Sequence, residues 1–381
     1  MKRRDFISLG SALAALSPVR AAGDFDSSAL KEEPNRVDFI HDGMQLSPME
    51  YAGLLLQLAE KGKIKPDYYS NEGVVEEAEY KFAGLLGKES AVFMPTGTLA
   101  NHIAVRRLAD KNRKVIVQEQ SHFYNDSGDC AQSLSGLNLI PLGPGAVDFG
   151  LNEIEKIIDQ AKKARVETRV GVIALETPVR RQSDRMFDEG KLKSITDFAR
   201  THGIKTHIDG ARIFIQAAHT NKQPAQYGAM ADTIYTSLWK CFNAPSGAIL
   251  AGSKEFTTGL FHERRMFGGS LPAAWPLASI ALYYADGFLN EYKSAWTRTI
   301  QFINTLKKEE RFKPIFFDQG SHIIQLNITH THLPRFREQL LKKHIELGEP
   351  TTQGFLLRIN PTMNRQTPEY LASSFMEALK S

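Results

Sequence analysis

The chain has 381 residues, 42% hydrophobic and 24% charged, which excludes a disordered polypeptide and leaves room for about two domains. Its net charge of +4 comes from 47 basic residues interspersed among 43 acidic ones, with no basic tract beyond the first few positions, so nucleic acid is not an expected partner. Two cysteines, Cys130 and Cys241, with no CxxC and no His/Cys cluster, argue against a structural zinc site, and no metal is expected.

The first residues, MKRRDFISLGSALAALSPVRAAG, combine a basic start, a short apolar run and small residues near Ala21. That is the layout of an export signal, and Arg3-Arg4 before Asp5-Phe6-Ile7 resembles a twin-arginine signal. Residues 1–22 are therefore set apart from the fold. The protein is expected in the periplasm, or in the cytoplasm if the segment is not a working signal. A polar stretch follows, then VDFIHDGMQLSP.

Helical periodicity begins at Val75, with Ala78, Phe82 and Leu85 on one face and Gly87 as a stop. Residues 91–94 (AVFM) read as a strand leading into Pro-Thr-Gly-Thr and a second helix. Strands are predicted at 114–118, 137–142, 170–176 and 205–209, and near DTIYTSL and GAILAG. Helices fall between them, at LNEIEKIIDQAKKA and around 191–202. This alternation predicts a largely parallel sheet covered by helices. A long helical stretch over about 277–308 then precedes HIIQLNI, LPRFREQLLKK, FLLRIN and a last helix, the pattern of a small α+β domain. The expected division is an N-terminal segment with the large domain over 23–280, and a long connecting helix with the small domain over 281–381.

Three strand ends carry polar residues that the strands do not need. Thr96-Gly97-Thr98 opens a helix, where glycine lets a backbone approach an anion and the amides and hydroxyls bind phosphate. Asp209 in HIDGAR ends an apolar strand, where a carboxylate can hold a protonated pyridine nitrogen. Lys240 in TSLWKCFNAPSG lies between apolar segments, where a desolvated amine forms a Schiff base readily. Each alone has a plain structural explanation: a helix cap, an N-cap aspartate, a solvated lysine. Their order, phosphate loop, then aspartate, then lysine about 30 residues later, is that of fold-type-I pyridoxal phosphate enzymes.

The stretch DYYSNEGVVEEAEYKFAGLLGKESAVFMPTGTLAN, with HIDGAR, SLWK and RRMFGG, resembles the threonine aldolase/β-eliminating lyase family over residues 37–365. The resemblance implies an aspartate aminotransferase-like large domain with a mainly parallel sheet and a small C-terminal α+β domain. It implies that Lys240 binds pyridoxal 5'-phosphate covalently, that Asp209 holds the ring nitrogen, that Gly97 and Thr98 bind the phosphate and that His122 stacks on the ring. It further implies that Arg212 and Arg358 grip the substrate carboxylate and that Tyr69 reaches the active site of a neighbouring subunit in a homodimer or homotetramer. The implied reaction is aldol cleavage of a β-hydroxy-α-amino acid such as threonine to glycine and an aldehyde. The alternatives are β-elimination, racemisation or transamination of another amino acid, or a binding protein without turnover. The chain departs from the family at His41-Asp42-Gly43, at Glu176-Thr177-Pro178-Val179-Arg180, at Trp239 and Cys241-Phe242-Asn243, and at Pro272. At Pro272 the family's arginine for phosphate contact is lost; cofactor binding is expected to survive these departures, and substrate identity is put in question.

Overall fold

The computed structural model describes residues 35–380, so the expected export signal and the polar stretch to residue 34 lie outside the described residues. The central sheet has seven strands: β1 (Ser90–Met94), β2 (Lys114–Gln118), β3 (Asn138–Leu142), β4 (Val170–Glu176), β5 (Lys205–Asp209), β6 (Thr233–Ser237) and β7 (Ala248–Gly252). They lie in the order β1-β7-β6-β5-β4-β2-β3. Only β7 runs against its neighbours. All seven residues of β4 are buried, as a strand covered on both faces requires, which explains its unbroken apolar run.

Helices α1 (Pro48–Glu60), α2 (Gly73–Leu85), α3 (Gly97–Ala109), α4 (His122–Asn125), α5 (Leu151–Lys163), α6 (Glu189–Thr201), α7 (Leu238–Cys241), α8 (Trp275–Ala285), α9 (Phe288–Leu306) and α10 (Pro368–Ala378) complete the main framework. The sequence reading misses α1, whose apolar face is weak. Its start nevertheless carries a signal: Ser47 caps Glu50 N–H, Glu50 returns a bond to Ser47 N–H, and Pro48 stands at the first turn. The helical stretch predicted over 277–308 is two helices, broken at Asp286-Gly287.

A small antiparallel sheet is built from β8 (Phe312–Phe316), β9 (Ile323–Ile328) and β10 (Gly354–Arg358), with β9 in the middle. Its core includes Phe302, Leu326, Phe336, Phe355 and Phe375, together with Val37 and Phe39 from the N-terminal segment. The large core ends at Phe288 and Tyr292, and the small one begins at Ala295. The change of domain therefore falls inside α9, within the expected connecting helix, whereas Val37 and Phe39, grouped by sequence with the large domain, pack with the C-terminal part. A two-residue parallel pairing of Val37–Asp38 with Ile345–Glu346 fixes that segment. Among the described residues no helix is long and apolar enough to cross a membrane.

Candidate active site

Parallel strands bring their carboxyl ends to one edge, and there Glu176 of β4 pairs in register with Asp209 of β5, and Asp209 with Tyr235 of β6. Thr96, Gly97, Thr98, Asn101, His122, Asp209 and Lys240 line one cleft of about 610 Å³ at this edge. Ser246, just before the antiparallel β7, lies on it too, because that strand begins where its neighbours end.

Asp209 is aimed by a chain of hydrogen bonds. Asn101 Nδ2 donates to Asp209 Oδ2 at 2.6 Å, and Asn101 Oδ1 lies 2.9 Å from His207 Nε2. His207 Nδ1 in turn lies 2.8 Å from Thr233 Oγ1. Burial pushes the His207 imidazole down to about 4, so it is neutral at pH 7. Since an amide oxygen can only accept, the proton sits on Nε2 and the Thr233 hydroxyl donates to Nδ1. The sequence reading gives Asn101 and His207 no role; the match of α3 to β5 through this relay is a tertiary feature. Ala211 N–H, at 3.2 Å from Oδ1, holds the other carboxylate oxygen.

At the start of α3, Thr96 Oγ1 accepts the Leu99 amide at 3.2 Å. The first amides of a helix lack intrahelical acceptors, so those of Gly97 and Thr98 remain for an anion at the positive end of the helix. Glycine is required at 97. A Cβ there would stand 2.0 Å from the Tyr235 hydroxyl oxygen and 2.5 Å from its ring carbon.

Lys240 follows β6 in the single turn α7, capped by Ser237, and is 8% exposed. Burial lowers its pKa, and the nearby Arg212 lowers it further; Asp42, Asp209 and Glu176 oppose this without cancelling it. The neutral amine, which is the nucleophile, is thereby favoured. His122 opens α4, and its pKa is likewise lowered, by burial first and by Lys240 and Arg180.

Glu176 ties this part of the site together. Its Oε2 accepts His122 N–H at 2.5 Å and its Oε1 accepts Arg180 N–H at 2.8 Å. Burial and then the charge of Asp209 push its carboxyl up to about 8. An acid whose folded pKa is raised binds more protons when folded. The cofactor-free protein is therefore expected to lose stability as pH rises from about 4.5 towards 8. Urea midpoints across that range should show the slope, and Glu176→Gln should remove much of it; an unchanged slope contradicts the assignment.

Arg212 and Arg358, expected on the substrate carboxylate, both enter a buried ionic hub. Arg212 Nε and Nη2 reach Asp42 Oδ2 at 2.9 and 2.8 Å, and Nη1 lies 3.3 Å from Asp184 Oδ1. Every nitrogen of its guanidinium thus faces an internal carboxylate. Arg358 spends only Nη1, at 3.1 Å from Asp42 Oδ1 and 2.6 Å from Asp184 Oδ2. Its Nε and Nη2 are solvent-accessible and have no partner among the described residues. His322 Nε2 completes the hub at 2.8 Å from Asp42 Oδ1. Asp42, Asp184 and His322 stand close enough to share a cation, but the two guanidiniums already supply that charge. Sequence reading names Asp42 only within a segment whose flanking residues depart from the family motif, and misses Asp184 and His322.

Tyr69 does not line the cleft of its own chain. Its amide bonds Pro272 O, and its ring lies 4.8 Å from the Arg265 guanidinium.

This donor set fits pyridoxal phosphate: a buried amine, an anchored strand-end carboxylate, and a helix N-terminus whose glycine admits no side chain. The comparisons agree. The family profile described as beta-eliminating lyase matches residues 59–322. The "Probable low-specificity L-threonine aldolase 2" of Arabidopsis thaliana is 25% identical over 84% of this chain and 91% of its own. The "Uncharacterized protein R102.4" of Caenorhabditis elegans is 27% identical over 69% of this chain, and the match spans 64% of that protein's length. A crystal structure from Exiguobacterium sp. 255-15, of the aromatic amino acid beta-eliminating lyase/threonine aldolase group, shares the fold with a TM-score of 0.75. It is 21% identical, over 91% of this chain and 98% of that one. The chain belongs to the β-eliminating lyase family, as a fold-type-I lyase that uses pyridoxal phosphate.

Proposed function

We infer that the protein cleaves β-hydroxy-α-amino acids such as threonine between Cα and Cβ, giving glycine and an aldehyde. The observation that carries this reading is the meeting of Lys240, Asp209, His122 and the α3 N-terminus on one cleft. The relatives named as threonine aldolases support it.

Lys240 Nζ holds the cofactor covalently, Asp209 its ring nitrogen, and Gly97 and Thr98 its phosphate. When bound, the cofactor supplies an acceptor for the electron pair released as a bond to Cα breaks. The chain's own groups decide which bond that is. Arg358 offers Nε and Nη2 to the substrate carboxylate, a planar fork suited to two oxygens. Arg212 braces Arg358 through the shared carboxylates of Asp42 and Asp184. Fixing the carboxylate turns the Cα–Cβ bond towards the face where cleavage is favoured. His122, held mainly neutral by its lowered pKa, accepts the β-hydroxyl proton directly or through one water. Lys240, whose neutral amine is favoured, carries a proton to and from Cα.

The reading includes association of two copies, since Tyr69 can serve a cleft only across an interface. The test is a panel of amino acids given to the purified holoenzyme, with product identification and sedimentation at the assay concentration. Glycine and aldehyde in equal amounts, from an associated protein, are expected. Pyruvate, a keto acid or a racemised substrate as the sole product contradicts aldol cleavage.

A further inference from the structure

Arg180 is the wall of the cleft that the mechanism leaves unused. It follows β4 as the first residue of the turn Arg180–Gln182 and lines the same cleft as Lys240, His122 and Asp209. Its amide is fixed to Glu176 Oε1, and Glu176 pairs in register with Asp209.

Its guanidinium is incompletely used. Nη2 donates to Asp126 Oδ2 at 2.6 Å, whereas Nε is buried with no acceptor. That Nε is closed off from the cleft, but Nη1 has no partner among the described residues and is left to meet an anion. The local charge points the same way. Asp126 is shared with Arg181, whose Nη1 lies 3.2 Å from Oδ1, so two cations meet one anion. In the hub, by contrast, Arg212 and Arg358 are matched one for one by Asp42 and Asp184. Among the described residues that line the cleft or pair with its lining, the excess positive charge left after Lys240 is committed lies at Arg180 and Arg181. This segment is also one of those that depart from the family pattern.

We propose that Arg180 selects substrates bearing an anion on the side chain, so that the preferred class is β-hydroxy-α-amino dicarboxylic acids, with 3-hydroxyaspartate the smallest. A carboxylate on Cβ meets the open donors of Arg180, while Arg358 keeps the α-carboxylate. The inference rests on the aldol-cleavage reading for its reaction but not for its binding preference. Cleavage of 3-hydroxyaspartate breaks Cα–Cβ, removes the β-hydroxyl proton and returns a proton to Cα. The products are glyoxylate and glycine, and no oxidant or reductant is required.

The experiment compares the holoenzyme with its Arg180→Met and Arg180→Lys forms. Turnover of 3-hydroxyaspartate and of threonine is measured alongside calorimetric binding of L-aspartate and L-alanine, which lack the β-hydroxyl and undergo no aldol cleavage. The expected wild-type result is tighter binding of aspartate than alanine and a higher kcat/KM for 3-hydroxyaspartate, each by about tenfold or more. Arg180→Met should lower both ratios by at least about tenfold, and Arg180→Lys should restore part of each. Equal binding of aspartate and alanine by the wild type overturns the inference. So does an equal loss on both substrates in Arg180→Met, because Arg180 would then serve the carboxylate common to all amino acids. If nothing is cleaved but aspartate binds tighter than alanine through Arg180, the aldol reading fails and this inference stands.

Discussion

Lys240→Ala is expected to leave a folded protein whose turnover falls by about 10²–10⁴-fold or more, the range for losing a positioned proton carrier. The variant also loses the covalent hold on the cofactor. Its stability should not fall with its activity. The lysine is 8% exposed, burial lowers its pKa, and removing it relieves a desolvated amine without orphaning a partner. Steady-state rates, cofactor retention after dialysis and a thermal melt together check this. A variant that keeps more than about a tenth of wild-type turnover would show that Lys240 carries no proton in the reaction.

The second large effect is expected at the hub. Asp184→Ala and Asp42→Ala each leave buried guanidinium charge without its counterion, and breaking a buried pair from one side costs about 3–5 kcal/mol. Asp42 comes from the N-terminal segment, Asp184 follows β4, Arg212 follows β5, and His322 and Arg358 belong to the small domain. Loss of either aspartate should therefore lower the unfolding midpoint and raise KM for the amino acid, because the brace on Arg358 is lost. Burial alone would raise the Asp42 pKa, but Arg212, His322 and Arg358 outweigh it and hold the carboxyl well below its ordinary value. A depressed folded pKa contributes stability that is complete above about pH 4 and disappears as pH falls towards that lower value. Asp42→Asn should flatten this acid limb. Unfolding curves for these variants that match wild type across acid pH would contradict the role given to the hub.

The cofactor side of the site was legible because each of its groups sits next to a local pattern. Asp209 ends a buried strand, Lys240 lies in the turn that follows one, and Gly97 interrupts a strand-to-helix join, so their place at a cleft follows from the run of residues around them. The sheet was legible for a related reason: β4 is a largely apolar run of strand length, and residues between strands, as in α5, have helical period. The hub was not. Asp42, Asp184 and His322 lie in three different regions of the chain, and each looks like an ordinary polar residue until folding buries it with two arginines. Reading Arg212 and Arg358 as a clamp put the two arginines together, as the structure does, but not the carboxylates between them. The point of change within the connecting helix was not legible, because α9 is one continuous helix whose two halves pack on different cores. Nothing in its period marks the change.

The measurement that bears most directly on the account is borohydride reduction of the purified protein followed by peptide mass mapping. The account predicts a single pyridoxyl adduct, on Lys240. An adduct on another lysine, or none on protein supplied with pyridoxal phosphate, would contradict it.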